Sequence, residues 1–441
     1  MRVVHVSKFE NSGGASLAAH RLHQSLHRLG VDSTMFVAQK YTDDPTVIAF
    51  QPPRDLCSRL QRRLRHEQIT RSVARYRISR PTGYAGFDDD RVPDSSYLLA
   101  QLPVSDVINV HAMYGFVDYH AFFTTVPQHT PVVRTLHDMS FFTGGCHVAE
   151  DCRKYIDRCG ACPQLGSRRE EDLSRDIWQR KRATLKAVKP GRLYVVAPSR
   201  WLANEARQSS LLHDFPITVI PLALDTEVFC PRDRWVAREA LGIPQDASVV
   251  LFIASLLSQP LKGLALLAQA LDGLGDLSNL LLVSAGRGKP PVEVRVPHLS
   301  LGYVTNARFL SLIYSAVDVF VIPSLHDNLP QTVLEAIACG TPVVGFEVGG
   351  IPDMVRHGVN GLVVPPGDVS ALCTAIRTLL QDPAQRAVMA ANCRRIAVQE
   401  YALEVQARRY LELYEEILNS SQNPPLPTVP STRGGAKELA A

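Results

Sequence analysis

Two carboxylates eight residues apart, Asp327 and Glu335, stand in the run V-F-V-I-P-S-L-H-D-N-L-P-Q-T-V-L-E-A-I-A-C-G-T-P-V-V-G-F-E-V-G-G, residues 319–350. Asp327 lies in a polar loop and Glu335 in a helix between Leu334, Ala336 and Ile337. Such a glutamate either faces water or accepts hydrogen bonds from a polyol such as a ribose. Lys262-Gly263 opens a predicted helix, where an ammonium, free N–H groups and the helix dipole suit a phosphate. A plain surface lysine is the alternative. Asn11-Ser12-Gly13-Gly14 is a glycine loop feeding a helix, an anion site or an ordinary βα turn. His111 and His137 each follow a strand end, where parallel sheets bind ligands, although a lone histidine is more often structural. Cys146, Cys152, Cys159 and Cys162 are spaced C-x5-C-x6-C-x2-C. The closing C-G-A-C can present two thiolates to one tetrahedral metal, a structural zinc; reduced or disulfide-bonded thiols are the other reading.

Elements must hold these groups in place. Val319–Ile322 reads as a buried strand ended by Pro323, residues 332–338 have helical spacing, and Gly340 suits a left-handed cap before the apolar pair Val343-Val344. This unit puts the Asp327 loop at the carboxyl edge of a parallel sheet. Further strands are predicted at 3–6, 33–37, Val107–Val110, 132–136, 194–197, 249–254 and 280–285, with a long charged helix over 168–187. Between Arg54 and Arg80 there are nine arginines and two acids, with Leu56, Leu60 and Leu64 at helical spacing. That segment reads as a solvated helix or a membrane-surface helix. A nucleic-acid partner is not expected, because no aromatic interleaving or recognition module accompanies the charge.

A chain of 441 residues exceeds what one core supports. The division expected is 1–216, with a basic segment 54–80 and a Cys-rich insertion 143–165; then 217–400; then a helix 401–418 returning to the first domain; then a disordered tail 419–441 rich in Pro, Ser and Gly. No apolar run is long enough to span a bilayer and the first residues lack a signal-peptide core, so a cytoplasmic protein is expected. An odd total of nine cysteines argues against a secreted disulfide framework. No G-x-G-x-x-G follows a predicted strand, which disfavours a dinucleotide enzyme.

The run D-N-L-P-x-T-V-x-E-A-x-A-C-G-T-P-V-V resembles the E-x7-E donor signature of the retaining glycosyltransferases of family 4, which have the GT-B fold, with Asp327 in place of the first glutamate. R-T-L-H-D around His137 resembles the family's acceptor-side strand, and Leu301-Gly302-Tyr303-Val304 its nucleobase-reading segment. The H-D-x-x-x-x-T-G-G-C-H insertion is similar to that of a subset of the family. The resemblance covers roughly residues 1–418. It implies an α/β protein with two facing Rossmann-like domains and a central cleft. It further implies transfer of a sugar, with retention, from a UDP- or GDP-sugar to a glycan or lipid-linked glycan in exopolysaccharide or O-antigen assembly. His137 and Asp327 would position the sugar and Lys262 would neutralise the departing diphosphate. Gly13, Gly14, Lys262, Gly263, Arg287, Tyr303, Asn328, Leu329 and Pro330 would bind the donor, and Glu335 its ribose. No cofactor is required for catalysis on this reading, and contact with the inner face of the plasma membrane would run through residues 54–80. The chain departs from the pattern at Leu257, where an arginine is usual, and at Leu222-Ala223-Leu224-Asp225, where Asn-Gly-Val-Asp is usual. A nucleotide-sugar 2-epimerase and a non-catalytic nucleotide-sugar-binding scaffold are the alternatives.

Overall fold

The computed structural model describes residues 1–81, 86–93 and 95–422. Two parallel sheets organise it. The first holds β1 (Arg2–Phe9), β2 (Asp32–Gln39), β3 (Val47–Ala49), β4 (Val107–Val110), β5 (Val132–Thr135), β6 (Leu193–Ala197) and β7 (Ile217–Val219), in the order β3-β2-β1-β4-β5-β6-β7. The second holds β8 (Ser248–Leu256), β9 (Leu280–Arg287), β10 (His298–Ser300), β11 (Val319–Ile322), β12 (Val343–Phe346) and β13 (Gly361–Val364), in the order β10-β9-β8-β11-β12-β13. Four-residue strands such as β4, β5, β11 and β12 are buried along their whole length, and β11 and β12 accordingly carry no polar side chain. Strand order reverses at β1 in one sheet and at β8 in the other, so each sheet offers a crevice beyond its strand ends.

The chain crosses between sheets later than expected. Ile217 pairs with Val195, so β7 extends the first sheet past residue 216. Leu224, in the segment that lacks the Asn-Gly turn, is fully buried and its N–H reaches the Tyr401 carbonyl at 3.0 Å. There the helix Pro383–Tyr401 ends, and Ala402, in extended conformation, turns the chain into a last helix, Leu403–Gln422. Residues 419–422 are therefore helical rather than part of the expected tail, whose remainder, 423–441, lies outside the described residues. The last helix packs on the first domain. Tyr410 and Tyr414 join a core cluster with Val3, Leu22, Leu26, Val107, Val133 and Val196. Asn109 donates to the Tyr414 hydroxyl at 2.7 Å, and the Tyr410 hydroxyl lies 3.0 Å from Thr135 Oγ1.

The basic segment forms a helix, Leu56–Ala74, capped by Asp55. Leu56, Leu60 and Leu64 point outward, with Leu56 80% exposed, while Val73 packs on the domain core. The charged helix starts later than predicted, at Leu173, because Asp172 caps the N–H groups of Ser174 and Arg175. Among the described residues no helix is long and apolar enough to cross a membrane.

The Cys-rich insertion is built on short 3-10 turns. Cys146, Cys159 and Cys162 are buried, Cys152 partly so, and none is bonded to another. All four line one small void of about 20 Å³, and Cys159 Sγ accepts from the Gly144 N–H at 3.1 Å. Burial pushes the Cys159 thiol up to about 12. Among the described residues no three His, Cys, Asp or Glu side chains are grouped as metal ligands. The insertion also presents His147: the Met139 N–H bonds its carbonyl at 2.9 Å, and Phe87 bridges Cys146.

Candidate active site

A cavity of about 490 Å³ lies between the two sheets. The first domain contributes Gly14, Tyr114, His137, Asp138 and His147 to its wall, and the second contributes Lys262, Ser324 and the loop from Asp327 to Thr332. Five of the predicted second-domain residues line this one cavity: Lys262, Asp327, Asn328, Leu329 and Pro330. A larger cavity, about 680 Å³, lies beside the basic helix and holds none of the predicted residues.

The loop's shape comes from close backbone packing. Gly349 has φ +54°, and a Cβ there would lie 1.6 Å from the Asp327 carbonyl oxygen; a Cβ on Gly350 would lie 1.9 Å from that of Asn328. The glycine pair after β12 therefore works as a bed on which this loop lies. Asn328 then spans the cleft. Its Nδ2 donates to the His137 carbonyl at 3.0 Å, and its Oδ1 accepts from Ser199 Oγ at 2.8 Å. Gln331 makes a second link, donating to the Gly14 carbonyl at 2.8 Å and accepting from Arg21 Nη1 at 2.9 Å. Arg200 bonds Asp353 at 2.9 Å outside the cavity.

Lys262 and Asp327 meet at 2.6 Å on the cavity wall, so the two groups expected on different parts of a ligand are paired with each other. Glu335 is not on the wall. It is buried behind it, 8% exposed, where the Tyr314 hydroxyl donates to its Oε2 at 3.0 Å. Burial raises its pKa, opposed by Arg21 and the tyrosine hydrogen bond. The water-facing reading of Glu335 is excluded.

Four of the predicted donor-side residues, Gly13, Gly263, Arg287 and Tyr303, lie off this wall. Gly13 is not on the wall, although Gly14 is. Gly263 is not either; it has φ +74° and a Cβ would lie 1.8 Å from the Pro323 carbonyl oxygen, so its role is to let two loops touch. Arg287 lays its guanidinium over the Tyr303 ring at 4.0 Å, and neither residue reaches the cavity. Leu257, at the position usual for arginine, is fully buried against Gly286 and belongs to the core.

Sequence reasoning missed Arg21, Tyr114, Asp138 and His147. Arg21 is one of two arginines on an amphipathic helix, Gly14–Arg28, and nothing in its spacing marks it. His147 carried a weak signal as the histidine of the C-H pair in the insertion. Its Nδ1 lies 3.0 Å from Asp138 and its Nε2 bonds Asp88. Against the cost of burial, the two carboxylates raise the imidazole to about 10, and His147 holds Asp138 well below the usual carboxylate range. His147 is therefore a cation at neutral pH. His137 is the opposite case, pushed down to about 3 by burial and so uncharged. Its Nε2 lies 3.2 Å from His111 Nδ1, and His111 Nε2 lies 3.1 Å from His5 Nδ1. His111 thus stands behind the cavity rather than on it.

Comparison with known proteins extends these observations. Residues 247–382 match the profile of a family described as Glycosyl transferases group 1. The chain is 33% identical over 281 residues to the D-inositol 3-phosphate glycosyltransferase of Geodermatophilus obscurus, covering 56% of this chain and 60% of that protein. It is 31% identical over 243 residues to the protein of the same description from Thermobispora bispora, covering 50% and 56%. The matches thus span a little over half the length of these relatives. Among solved structures, sucrose-phosphate synthase from Thermosynechococcus elongatus superposes with a TM-score of 0.63 at 19% identity, covering 95% of this chain and 100% of that one. Anabaena Alr3699/HepE in complex with UDP-glucose gives 0.63 at 17% identity, covering 94% and 100%. WaaG, a glycosyltransferase involved in lipopolysaccharide biosynthesis, gives 0.57 at 16% identity, covering 94% and 99%. At such identities the likeness establishes the fold: two facing Rossmann-like domains of the GT-B type.

Proposed function

We propose that this chain is a glycosyltransferase that moves a sugar, with retention of anomeric configuration, from a UDP- or GDP-sugar to a glycan or lipid-linked glycan of the cell surface. The observation that carries the reading is the interdomain cavity, where Gly14 and His137 of one domain meet Lys262, Asp327 and Asn328 of the other. A parallel α/β fold with both sheet edges on one cavity suits a two-part ligand, nucleotide on one side and acceptor on the other. The match of residues 247–382 to the family profile covers the domain that would take the nucleotide.

In this reading Lys262 leaves Asp327 for the diphosphate and stabilises the charge that builds on it as the glycosidic bond breaks. A fixed cation in a partly dry cleft acts best at that moment. That lysine supplies the positive charge, so transfer is assigned as metal-independent. Glu335, although buried behind the wall, is assigned to the ribose hydroxyls through the 8% of its surface that stays accessible, with Tyr314 and Arg21 supporting its carboxylate. His137 binds the transferred sugar as a neutral ring. Asp138 is engaged by His147, and Asp327 is assigned to positioning the sugar, so front-face displacement is preferred to a covalent intermediate. The helix Leu56–Ala74 rests on an anionic membrane, at the inner face of the plasma membrane, through Leu56, Leu60 and Leu64. Each arginine near such a surface contributes about 1 kcal/mol.

The test is release of UDP or GDP from nucleotide sugars by the purified chain, with thermal shifts run in parallel. Slow hydrolysis of one donor class, faster with a lipid-linked glycan, supports the reading. Binding without release from any donor leaves the scaffold alternative, and neither binding nor release refutes both.

A further inference from the structure

Three histidines step from the cleft into the first sheet on adjacent strands. His137 follows β5, His111 follows β4, and His5 lies in β1. The ring nitrogens are joined in series, His137 Nε2 to His111 Nδ1 at 3.2 Å and His111 Nε2 to His5 Nδ1 at 3.1 Å. The inner end of the series is closed, because His5 Nε2 is buried without a hydrogen-bond partner. The nearest ring beyond it, His23, stands edge-on at 6.1 Å between centroids and is engaged with Ser33 and Thr46. The outer end is open, since His137 lies on the cavity wall and its Nδ1 has no partner among the described residues.

A neutral imidazole has one N–H and one lone pair, so the series can run in only two directions. Run inward, it ends on an orphan N–H at His5 Nε2 in the core. Run outward, it ends there on an orphan lone pair. Buried N–H groups without partners are rarer than buried acceptors without donors. We propose that the series runs outward: His5 Nδ1–H donates to His111 Nε2, His111 Nδ1–H donates to His137 Nε2, and His137 presents Nδ1–H to the cleft. His5 and His111 are then positioning residues that hold His137 in one tautomer.

Burial keeps all three rings uncharged, with His5 and His111 well below the ordinary histidine range. The buried Arg134, whose Nη1 donates to the carbonyls of Val110 and Thr135 at 2.8 Å each, opposes further positive charge there. A ring fixed in this way bonds a sugar oxygen as a donor and cannot take a proton from an acceptor hydroxyl. This last consequence rests on the glycosyltransferase reading; the direction of the series does not.

The test is a two-bond proton–nitrogen correlation spectrum of the full chain with ¹⁵N-labelled histidine, His137 being assigned by its loss in His137→Asn. Protonated and unprotonated ring nitrogens have well-separated shifts. We expect Nδ1 of His137 protonated and Nε2 bare; the reverse, or an average of the two, overturns the proposal. In His111→Leu the His137 nitrogens should move towards the average, and an unchanged spectrum would remove His111 from its positioning role. Turnover gives an independent readout. His137→Asn, whose amide N–H₂ stands near Nδ1, should stay within about tenfold of wild type while His137→Ala loses on the order of 10²-fold, the scale of one lost donor. Equal losses overturn the donor role. The expected spectrum in a chain that turns over no donor refutes the glycosyltransferase reading and upholds the direction of the series.

Discussion

The ammonium of Lys262 rests 2.6 Å from a carboxylate oxygen of Asp327, within a cavity that both residues line. The pair is partly exposed, with 28% of the lysine side chain and 14% of the aspartate accessible, so it can open at modest cost. A diphosphate competes with Asp327 for the lysine. Asp327→Asn should therefore bind free UDP or GDP more tightly, by about two- to fivefold, the scale of one part-exposed ion pair of ~1 kcal/mol. Titration calorimetry decides it, and weaker binding would mean that Asp327 helps to hold the nucleotide.

Lys262→Ala should lower kcat/KM on the order of 10²-fold or more, as for loss of a key partner of the leaving group. Steady-state kinetics with saturating acceptor reads this directly. Near-normal turnover would take Lys262 out of the chemistry.

Glu335→Ala should act on binding. A carboxylate hydrogen bond contributes about 1.5–3 kcal/mol, so the nucleotide Kd should rise roughly ten- to a hundredfold. Tyr314→Phe removes the hydroxyl that bonds Glu335 Oε2 and should weaken binding less, since Arg21 still faces the carboxylate. Equal Kd values for wild type and Glu335→Ala would place the ribose elsewhere.

His147 gives a prediction on pH. Its pKa rises from an ordinary value near 6.5 to about 10 because two carboxylates outweigh its burial. A raised pKa stabilises the fold fully below the unfolded value, and that stability is lost as pH climbs through about 10. His147→Gln should thus lower Tm clearly near neutral pH, and the gap to wild type should narrow as pH approaches and passes the folded value. A gap that stays constant across that range would mean the ring contributes packing rather than charge.

The exposed leucine stripe of the helix Leu56–Ala74 is tested by flotation with vesicles. Binding should need anionic lipid, weaken with salt, and fall when Leu56, Leu60 and Leu64 are changed to Ser. Binding to neutral vesicles alone, or none to any, would return this helix to a solvated role.

Much of the second domain was legible in the sequence. The alternation of short buried strands with helices, the cap at Gly340 and the loop before the helix Gln331–Ala338 are local features, and they put Asp327, Asn328, Leu329 and Pro330 on the wall. What spacing did not carry was orientation through space. Glu335 lies behind the wall because Tyr314, twenty-one residues earlier, holds it there. Arg287 stacks on Tyr303 instead of facing the cavity, and Arg21 approaches from the other domain. His147 was hidden because Asp88, one of the two carboxylates that charge it, lies 59 residues away. Leu257 could be seen to lack a charge, but that the core claims it follows only from its contact with Gly286.

The last helix carries a consequence for how the chain is made. Asn109 and Thr135, deep in the first domain, find their hydroxyl partners on Tyr414 and Tyr410. A ribosome delivers those tyrosines only after the whole second domain has emerged. The first domain must then wait with an uncovered apolar strip around Val3, Val107 and Val133, although N-terminal domains generally fold first. Its two halves are therefore not separable pieces. A fragment that stops before Leu403 should be prone to self-association during synthesis, and adding the 403–422 helix as a peptide should suppress it.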